Sequence, residues 1–195
     1  MGALRSAPRL SPDASQAAFR VLLSTLAAPG RIYRLAELPE VPPATLLPLV
    51  LADFTCTVAL VGDAAAEVEP WLTLATGAVT GPPCLADQIV VLEPGAASAS
   101  LVEDLRTGSA MVPEEGARLA ISVPDLGSGP VRLLLRGPGV CGHIDLAVAG
   151  CSAPVFEALD RVNAGFPAGV DTWLFGPGGS VAALPRSTRI IVEES

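Results

Sequence analysis

The chain has 195 residues, of which 50% are apolar and 16% are charged, and its net charge is −8. This composition is typical of a folded globular protein, and all 12 basic residues are arginines, so no lysine can form a Schiff base or serve a phosphate-binding loop. The acidic balance and the scattered arginines argue against a nucleic-acid partner.

The length predicts a single domain spanning 1–195, with an ordered core at about 11–193. The first residues, "MGALRSAPRLSPD", contain no apolar run of the kind found in a signal peptide. The most apolar window is interrupted by Pro48 and Asp53, so one helix cannot cross a bilayer there. We therefore expect a cytoplasmic protein without a membrane segment, with its four cysteines reduced.

Helix and strand patterns alternate along the chain. Ser11 caps a predicted first helix, and Pro29 with Gly30 ends it; a second helix is predicted from Ala44 to about Asp53. The segments that follow are, in order, strand "CTVALVG", helix "VEPWLTLAT", strand "QIVVL", helix "SLVEDLRTG" ending at Gly108, strands "RLAISV", "VRLLLRG" and "HIDLAVAG", a helix from Pro154 to about Asn163, and strands "VDTWLF", "VAALP" and "TRIIVEE". This order predicts an α/β fold, a three-layer sandwich with one mixed, mostly parallel sheet between helices.

The stretch "RGPGVCGHI", Arg136 to Ile144, has the G-x-G-x-x-G spacing of a dinucleotide-binding loop. That loop requires a helix after its glycines, but "HIDLAVAG" alternates with the period of a strand. Pro138 also removes one amide donor. We therefore predict a tight strand-to-strand turn, and Cys141, His143 and Cys151 do not have the spacing of metal ligands.

Catalytic motifs are missing from the sequence as well. There is no G-x-S-x-G segment, and His143 is the only histidine available to a triad. No residue is therefore assigned a catalytic or metal-binding role, and no cofactor is expected.

Four charged residues lie in apolar or turn-forming stretches and are candidates for binding an anion or a partner: Arg20, Asp53, Asp171 and Arg186. Each of them could instead be half of a structural ion pair, because a buried charge needs a partner. The arginine fork also matches the geometry of phosphate and phosphonate.

Several segments, taken in order, resemble one family. They are "FRVLLSTLAAPGRI" for F-R-x-x-L before Pro-Gly, "TGSAMVPEEGARLAI" for T-G-x-x-x-x-P-x-x-G, "LRGPGV" for L-x-G-P-G-[IV], "FPAGVDTWL" for P-x-G-[IV]-D, and "ALPRSTRI" for the closing P-R-[ST]-T. This is the pattern of PhnH, a component of the bacterial carbon–phosphorus lyase system. The resemblance runs from about Ser11 to Val192.

The resemblance implies a fold similar to the pyridoxal-phosphate-dependent transferases without their cofactor site. It also implies a homodimer when the protein is alone and a core complex with the G, I and J subunits of the lyase. The resemblance further implies that the G, H and I subunits together make ribose 1-phosphonate 5-triphosphate from ATP and a phosphonate, displacing adenine, and that the J subunit then breaks the carbon–phosphorus bond. The resemblance provides no catalytic residue that can be assigned to a position of this chain.

Two other functions remain open from the residues alone. One is a free-standing α/β enzyme that uses Asp53, Asp171 or His143 as a base. The other is a module that binds a phosphonate or a nucleotide through Arg20 or Arg186. Activity of the isolated protein would indicate the first, and stabilisation by such ligands would indicate the second.

Overall fold

The computed structural model describes residues 8–36 and 40–194. Its α-helices are α1 (Pro12–Ala27), α2 (Leu46–Leu51), α3 (Ala65–Thr76), α4 (Ala99–Glu103) and α5 (Ala153–Val162). Its strands are β1 (Tyr33–Arg34), β2 (Thr57–Val61), β3 (Val79–Thr80), β4 (Gln88–Val91), β5 (Arg118–Ser122), β6 (Leu126–Arg136), β7 (Ile144–Val148), β8 (Asp171–Phe175), β9 (Ser180–Leu184) and β10 (Arg189–Glu194). In the described part of the chain, no helix is both long and apolar enough to cross a membrane.

Seven strands form the main sheet in the order β1-β9-β8-β5-β4-β2-β3. Strands β3, β2, β4, β5 and β8 are parallel, whereas β9 and β1 run antiparallel to their neighbours. The predicted α/β class with a mixed, mostly parallel sheet is therefore confirmed. We call the edge at which the parallel strands begin the amino edge, and the opposite one the carboxyl edge.

The prediction of one sheet is wrong, because β10, β6 and β7 form a separate antiparallel sheet. The inner faces of this second sheet contribute Leu133, Leu146 and Ile190 to the same buried cluster as the main sheet. The alternation of apolar residues in a strand shows which side chains face the core. It does not show which strands are hydrogen-bonded to each other, so the local sequence did not separate the two sheets.

Side chains of the central strands alternate between two apolar cores. Leu119 and Ile121 of β5 point into one core with helices α4 and α5 and the second sheet. Ala120 points into the other core with α1, α2 and α3. Each central strand is buried on both faces, which explains why these strands are almost continuously apolar in sequence.

The ends of the helices follow local sequence except at α4. Ser11 caps α1 by accepting a hydrogen bond from the Ala14 amide at 3.1 Å. Helix α4 ends at Glu103, although the sequence predicts an end at Gly108. The segment after Glu103 leaves the helix because the Arg106 carbonyl accepts from the Ala117 amide at 2.8 Å, and Gly108 has a φ of +68°.

Helix α1 is fixed to the main sheet by a buried polar contact. The indole nitrogen of Trp173 donates to Thr25 Oγ1 at 3.1 Å, and this hydroxyl donates to the Leu22 carbonyl at 2.7 Å. Thr25 is fully buried, and its hydroxyl is the nearer of two acceptors for the indole N–H, the other being the Leu22 carbonyl at 3.5 Å. Thr172, which precedes Trp173 in β8, is equally buried, but its hydroxyl has no hydrogen-bond partner.

We expect Thr25→Val to lower the free energy of unfolding by about 1–2 kcal/mol, because it removes the main acceptor of a buried indole N–H. Thr172→Val is the matched control, since it removes a buried hydroxyl that bonds to nothing, and its expected change is neutral or stabilising. Urea unfolding of both variants measures the difference. Equal losses in the two variants would contradict the role assigned to Thr25.

Candidate functional site

Two of the four candidate residues meet at the amino edge of the main sheet. Asp171 begins β8, and Arg186 lies just beyond the end of the antiparallel β9. Asp171 Oδ2 accepts from Arg186 Nη2 at 2.8 Å and from Nε at 3.0 Å, and Asp171 Oδ1 accepts from the Arg186 backbone amide at 2.9 Å. The side chains are only 13% and 22% exposed for Arg186 and Asp171, so the pair is shielded from water.

The same arginine reaches a third segment of the chain. Arg186 Nη1 donates to the Pro113 carbonyl at 2.5 Å. A side chain at Gly116 would overlap the Gly169 carbonyl oxygen and would lie 2.7 Å from Arg186 Nη1. Glycine at position 116 is therefore required by the close approach of these segments.

The turn before β8 is held by a buried amide side chain. Asn163 Oδ1 accepts from the Val170 amide at 2.7 Å, and Asn163 Nδ2 donates to the Val170 carbonyl at 3.2 Å. The Gly169 amide donates to the Thr107 carbonyl at 2.7 Å, which links this turn to the segment that carries Pro113. We call the assembly of 107–116, 163–171 and 185–188 the motif junction.

The "RGPGVCGHI" stretch connects β6 to β7 and is the predicted strand-to-strand turn. A Cβ at Gly137 would lie 2.8 Å from the Ser187 carbonyl oxygen, and one at Gly139 would lie 3.0 Å from Pro29 Cδ. Gly139 also has a φ of +82°, which favours glycine. The glycines therefore allow this turn to pack between the motif junction and the end of α1, and they do not form a nucleotide loop.

The structure does not bring the other two candidates to the junction. Arg20 is exposed on α1 and forms no ion pair with a described residue. Asp53 is exposed in the loop between α2 and β2. Hydrogen bonds from the Thr55 hydroxyl at 2.6 Å and the Thr55 amide at 2.8 Å hold the pKa of the Asp53 carboxyl below its ordinary value.

A carboxylate that sequence reasoning missed lies at the carboxyl edge. β3 and β4, which follow β2 along the chain, lie on opposite sides of β2 in the sheet, so the strand order reverses at β2. Open α/β sheets commonly bind ligands at the carboxyl ends of strands beside such a reversal. Here Glu93 accepts from the amides of Asp63 and Ala64, each at 2.8 Å, just before α3. The chain's own carboxylate thus occupies amides that an anion would use. The available sequence signal was an acidic residue directly after the predicted strand "QIVVL".

A second ion pair supports the amino edge. Asp87 Oδ2 accepts from the Thr57 amide at 2.7 Å, and Asp87 Oδ1 lies 2.5 Å from Arg106 Nη2. This pair joins β2, β4 and the segment after α4. It acts as a structural brace, because both of its charges already have partners.

One cavity, of about 270 Å³, lies beside α3 and is lined by Leu60, Ala65, Glu69, Thr80 and Gly81. Its carboxylate, Glu69, accepts from the Thr80 hydroxyl at 2.5 Å. Glu69 is the charged residue among those that line this cavity, and its carboxylate is already hydrogen-bonded to the Thr80 hydroxyl.

The nucleophilic and metal-binding residue types are spread over the fold. Cys151 is buried, and burial raises the pKa of its thiol to about 12. His143 is half exposed, with Nε2 3.9 Å from Asp145 Oδ2. Within 8–36 and 40–194, no three His, Cys, Asp or Glu side chains are grouped so that they could hold a metal ion.

The sequence comparison places the chain in a family. The model described as bacterial phosphonate metabolism protein (PhnH) matches residues 9–191. The chain belongs to the PhnH family. HtxG of Stutzerimonas stutzeri, named as a putative C-P lyase subunit protein, is 33% identical over 180 residues, which cover 90% of this chain and 85% of HtxG.

Four of the five segments by which the chain resembles the PhnH family lie together in the structure. The segments around Pro113, Asp171 and Arg186 form the motif junction, and the turn at Gly137 packs against it. These segments are far apart along the chain and are brought together by tertiary contacts. The F-R-x-x-L motif on α1 is separate from them.

We expect Arg186→Met to lower the free energy of unfolding by about 3 kcal/mol, because it leaves the Asp171 carboxylate shielded and without its counter-charge. Urea unfolding measures this loss. The matched control is Arg161→Met, whose pair with Glu103 is about half exposed and is expected to contribute less than about 1 kcal/mol.

In the double variant with Asp171→Asn, the Arg186 substitution should cost less than it does alone, because the carboxylate is then absent. Equal, additive losses would contradict the ion pair as the organising contact.

We expect the cysteines to differ in reactivity toward a thiol reagent at about pH 8, because only a thiolate reacts. The exposed Cys84 and Cys141 should react rapidly in the native protein. Cys151 should react only after unfolding, since its raised pKa keeps the thiol protonated below about pH 12. Mass spectrometry of the labelled peptides identifies each site, and Cys151→Ala should leave the rapid native labelling unchanged. Rapid native labelling of Cys151 would contradict this prediction.

Proposed function

We propose that this protein is a non-catalytic or co-catalytic subunit of the carbon–phosphorus lyase system for organophosphonate catabolism. Its role in phosphonate metabolism is supported by membership of the PhnH family, and the assembly is supported by the name of its relative HtxG. The structural observation that favours a non-catalytic role is the Asp171–Arg186 pair, because each charge already has a partner within the chain. These two charged residues, one from each of the last two family-like segments, bind each other and hold three loops together.

The reaction that this subunit would support uses ATP and a phosphonate. A phosphonate oxygen forms a bond to C1 of the ribose, the bond from C1 to adenine breaks, and adenine leaves with a proton. The products are ribose 1-phosphonate 5-triphosphate and adenine. We place the catalytic groups for this step on partner subunits, with this chain stabilising the complex that positions them.

Several finer features belong to the same proposal. The chain acts as one domain in the cytoplasm, is a homodimer when alone, and joins the G, I and J subunits in the complex. Its architecture is similar to that of the pyridoxal-phosphate-dependent transferases. The sequence contains no lysine with which to bind that cofactor covalently, which is consistent with a likeness of fold without the cofactor chemistry.

The test is reconstitution with the G, I and J subunits encoded in the same genome, supplied with ATP and methylphosphonate. We expect adenine release by the complete set and a large loss when this chain is omitted. The isolated chain should release no adenine. Chromatographic measurement of adenine, with light scattering of the assembled complex, checks both statements.

Two outcomes would overturn the proposal. Unchanged adenine release without this chain would show that the complex does not need it. Adenine release by the chain alone would identify a free-standing enzyme, and Asp53, Asp171 and His143 would then be the first residues to replace.

A further inference from the structure

We propose that the outward face of α1, formed by Phe19, Arg20 and Leu23, is the surface that binds a partner protein with an apolar groove bordered by carboxylates. This inference rests on the proposed function, because it assigns the contact through which the chain joins its complex. We call these three residues the α1 face.

The α1 face contains apolar surface that the fold does not use. Phe19 is 42% exposed and Leu23 is 50% exposed. The core is contacted instead by Ala18, Leu22 and Thr25, which are the buried residues of the helix. Since about half of each of these side chains remains exposed, this apolar surface is available for an interface.

The spacing of these residues matches a general mode of protein recognition. Phe19 and Leu23 are four residues apart and lie on one face of the helix. Arg20 lies three residues before Leu23 and is exposed beside it. Apolar anchors at this spacing insert into a groove on a partner, and an adjacent arginine is a frequent source of interface energy.

The positive charge of the segment that contains α1 indicates that the partner carries carboxylates. Residues 8–36 contain four arginines and one aspartate, whereas the whole chain has a net charge of −8. Arg20 forms no ion pair with any described residue. A carboxylate at the border of the partner's groove would supply a counter-charge.

Other occupants fit this surface less well. In a two-fold symmetric dimer through the α1 face, the two Arg20 side chains would lie on the same interface, and the α1 face carries no carboxylate to serve as their counter-charge. A nucleic acid or an anionic membrane would be repelled by the acidic remainder of the chain.

The F-R-x-x-L motif on α1 also supports this proposal. The letters of F-R-x-x-L correspond to Phe19, Arg20 and Leu23, and all three are exposed. In the other motifs, Asp171 pairs with Arg186, and a side chain at Gly116, Gly137 or Gly139 would overlap neighbouring atoms. Apolar side chains that remain this exposed are available for an external contact.

The experiment uses the full chain and the G, I and J subunits. Affinity of the chain for the partner complex is measured for the wild type, for Phe19→Ser with Leu23→Ser, and for Arg20→Glu. Leu74→Ser is the matched control, because Leu74 is 65% exposed on another helix, α3. Circular dichroism and thermal unfolding establish that each variant is folded.

We expect both α1 variants to bind at least about tenfold more weakly, and Leu74→Ser to bind like the wild type. The loss caused by Arg20→Glu should be smaller at about 0.5 M salt than at about 0.05 M, because salt screens an exposed charge pair. If the apolar double variant does not fold, the Arg20→Glu result still decides.

Wild-type affinity in both α1 variants would overturn this inference and leave the proposed function intact. An equal loss in Leu74→Ser would overturn it as well, because the effect would then not be specific to α1. Loss of a homodimer instead of the hetero-complex would identify a second copy as the occupant and contradict the acidic partner. If the wild type binds none of the subunits, the proposed function itself fails.

Discussion

The paired charges of Asp171 and Arg186 determine how the polar segments of this fold are arranged. Charges that are largely shielded from water require close, well-oriented partners, and here the carboxylate receives two side-chain hydrogen bonds and one from the backbone. The guanidinium of Arg186 also donates a hydrogen bond to the Pro113 carbonyl. One ion pair therefore fixes the ends of β8 and β9 and the loop before β5. Glycines at positions 116 and 169 permit the close approach that this contact demands.

The two edges of the main sheet are both closed by the chain's own charges. At the amino edge, Asp171 neutralises Arg186 and Asp87 neutralises Arg106. At the carboxyl edge, Glu93 accepts from the amides that precede α3. Internal contacts thus satisfy groups that enzymes of similar architecture present to ligands. The surface, and above all the α1 face, becomes the part of the molecule to examine for function.

Local patterns predicted the strongly periodic elements of the fold. Helix α5 and strands β4 and β8 agree with the predicted segments, because each combines a clear apolar pattern with capping or turn residues. The two-residue strands β1 and β3 were not predicted, since two residues carry no measurable periodicity. The separate sheet of β6, β7 and β10 was also missed, because the choice of neighbouring strand depends on contacts far apart in sequence.

The α/β class, the turn at Gly137 and the resemblance to the PhnH family follow from the amino-acid sequence alone, since they depend on neighbouring residues or on ordered motifs. The roles of the four candidate residues depend instead on the folded structure. It paired Asp171 with Arg186, left Arg20 and Asp53 exposed, and revealed Glu93 at the carboxyl edge. The physical reason is that the energy of a charge depends on its burial and on its partners, and both are set by segments that are distant along the chain.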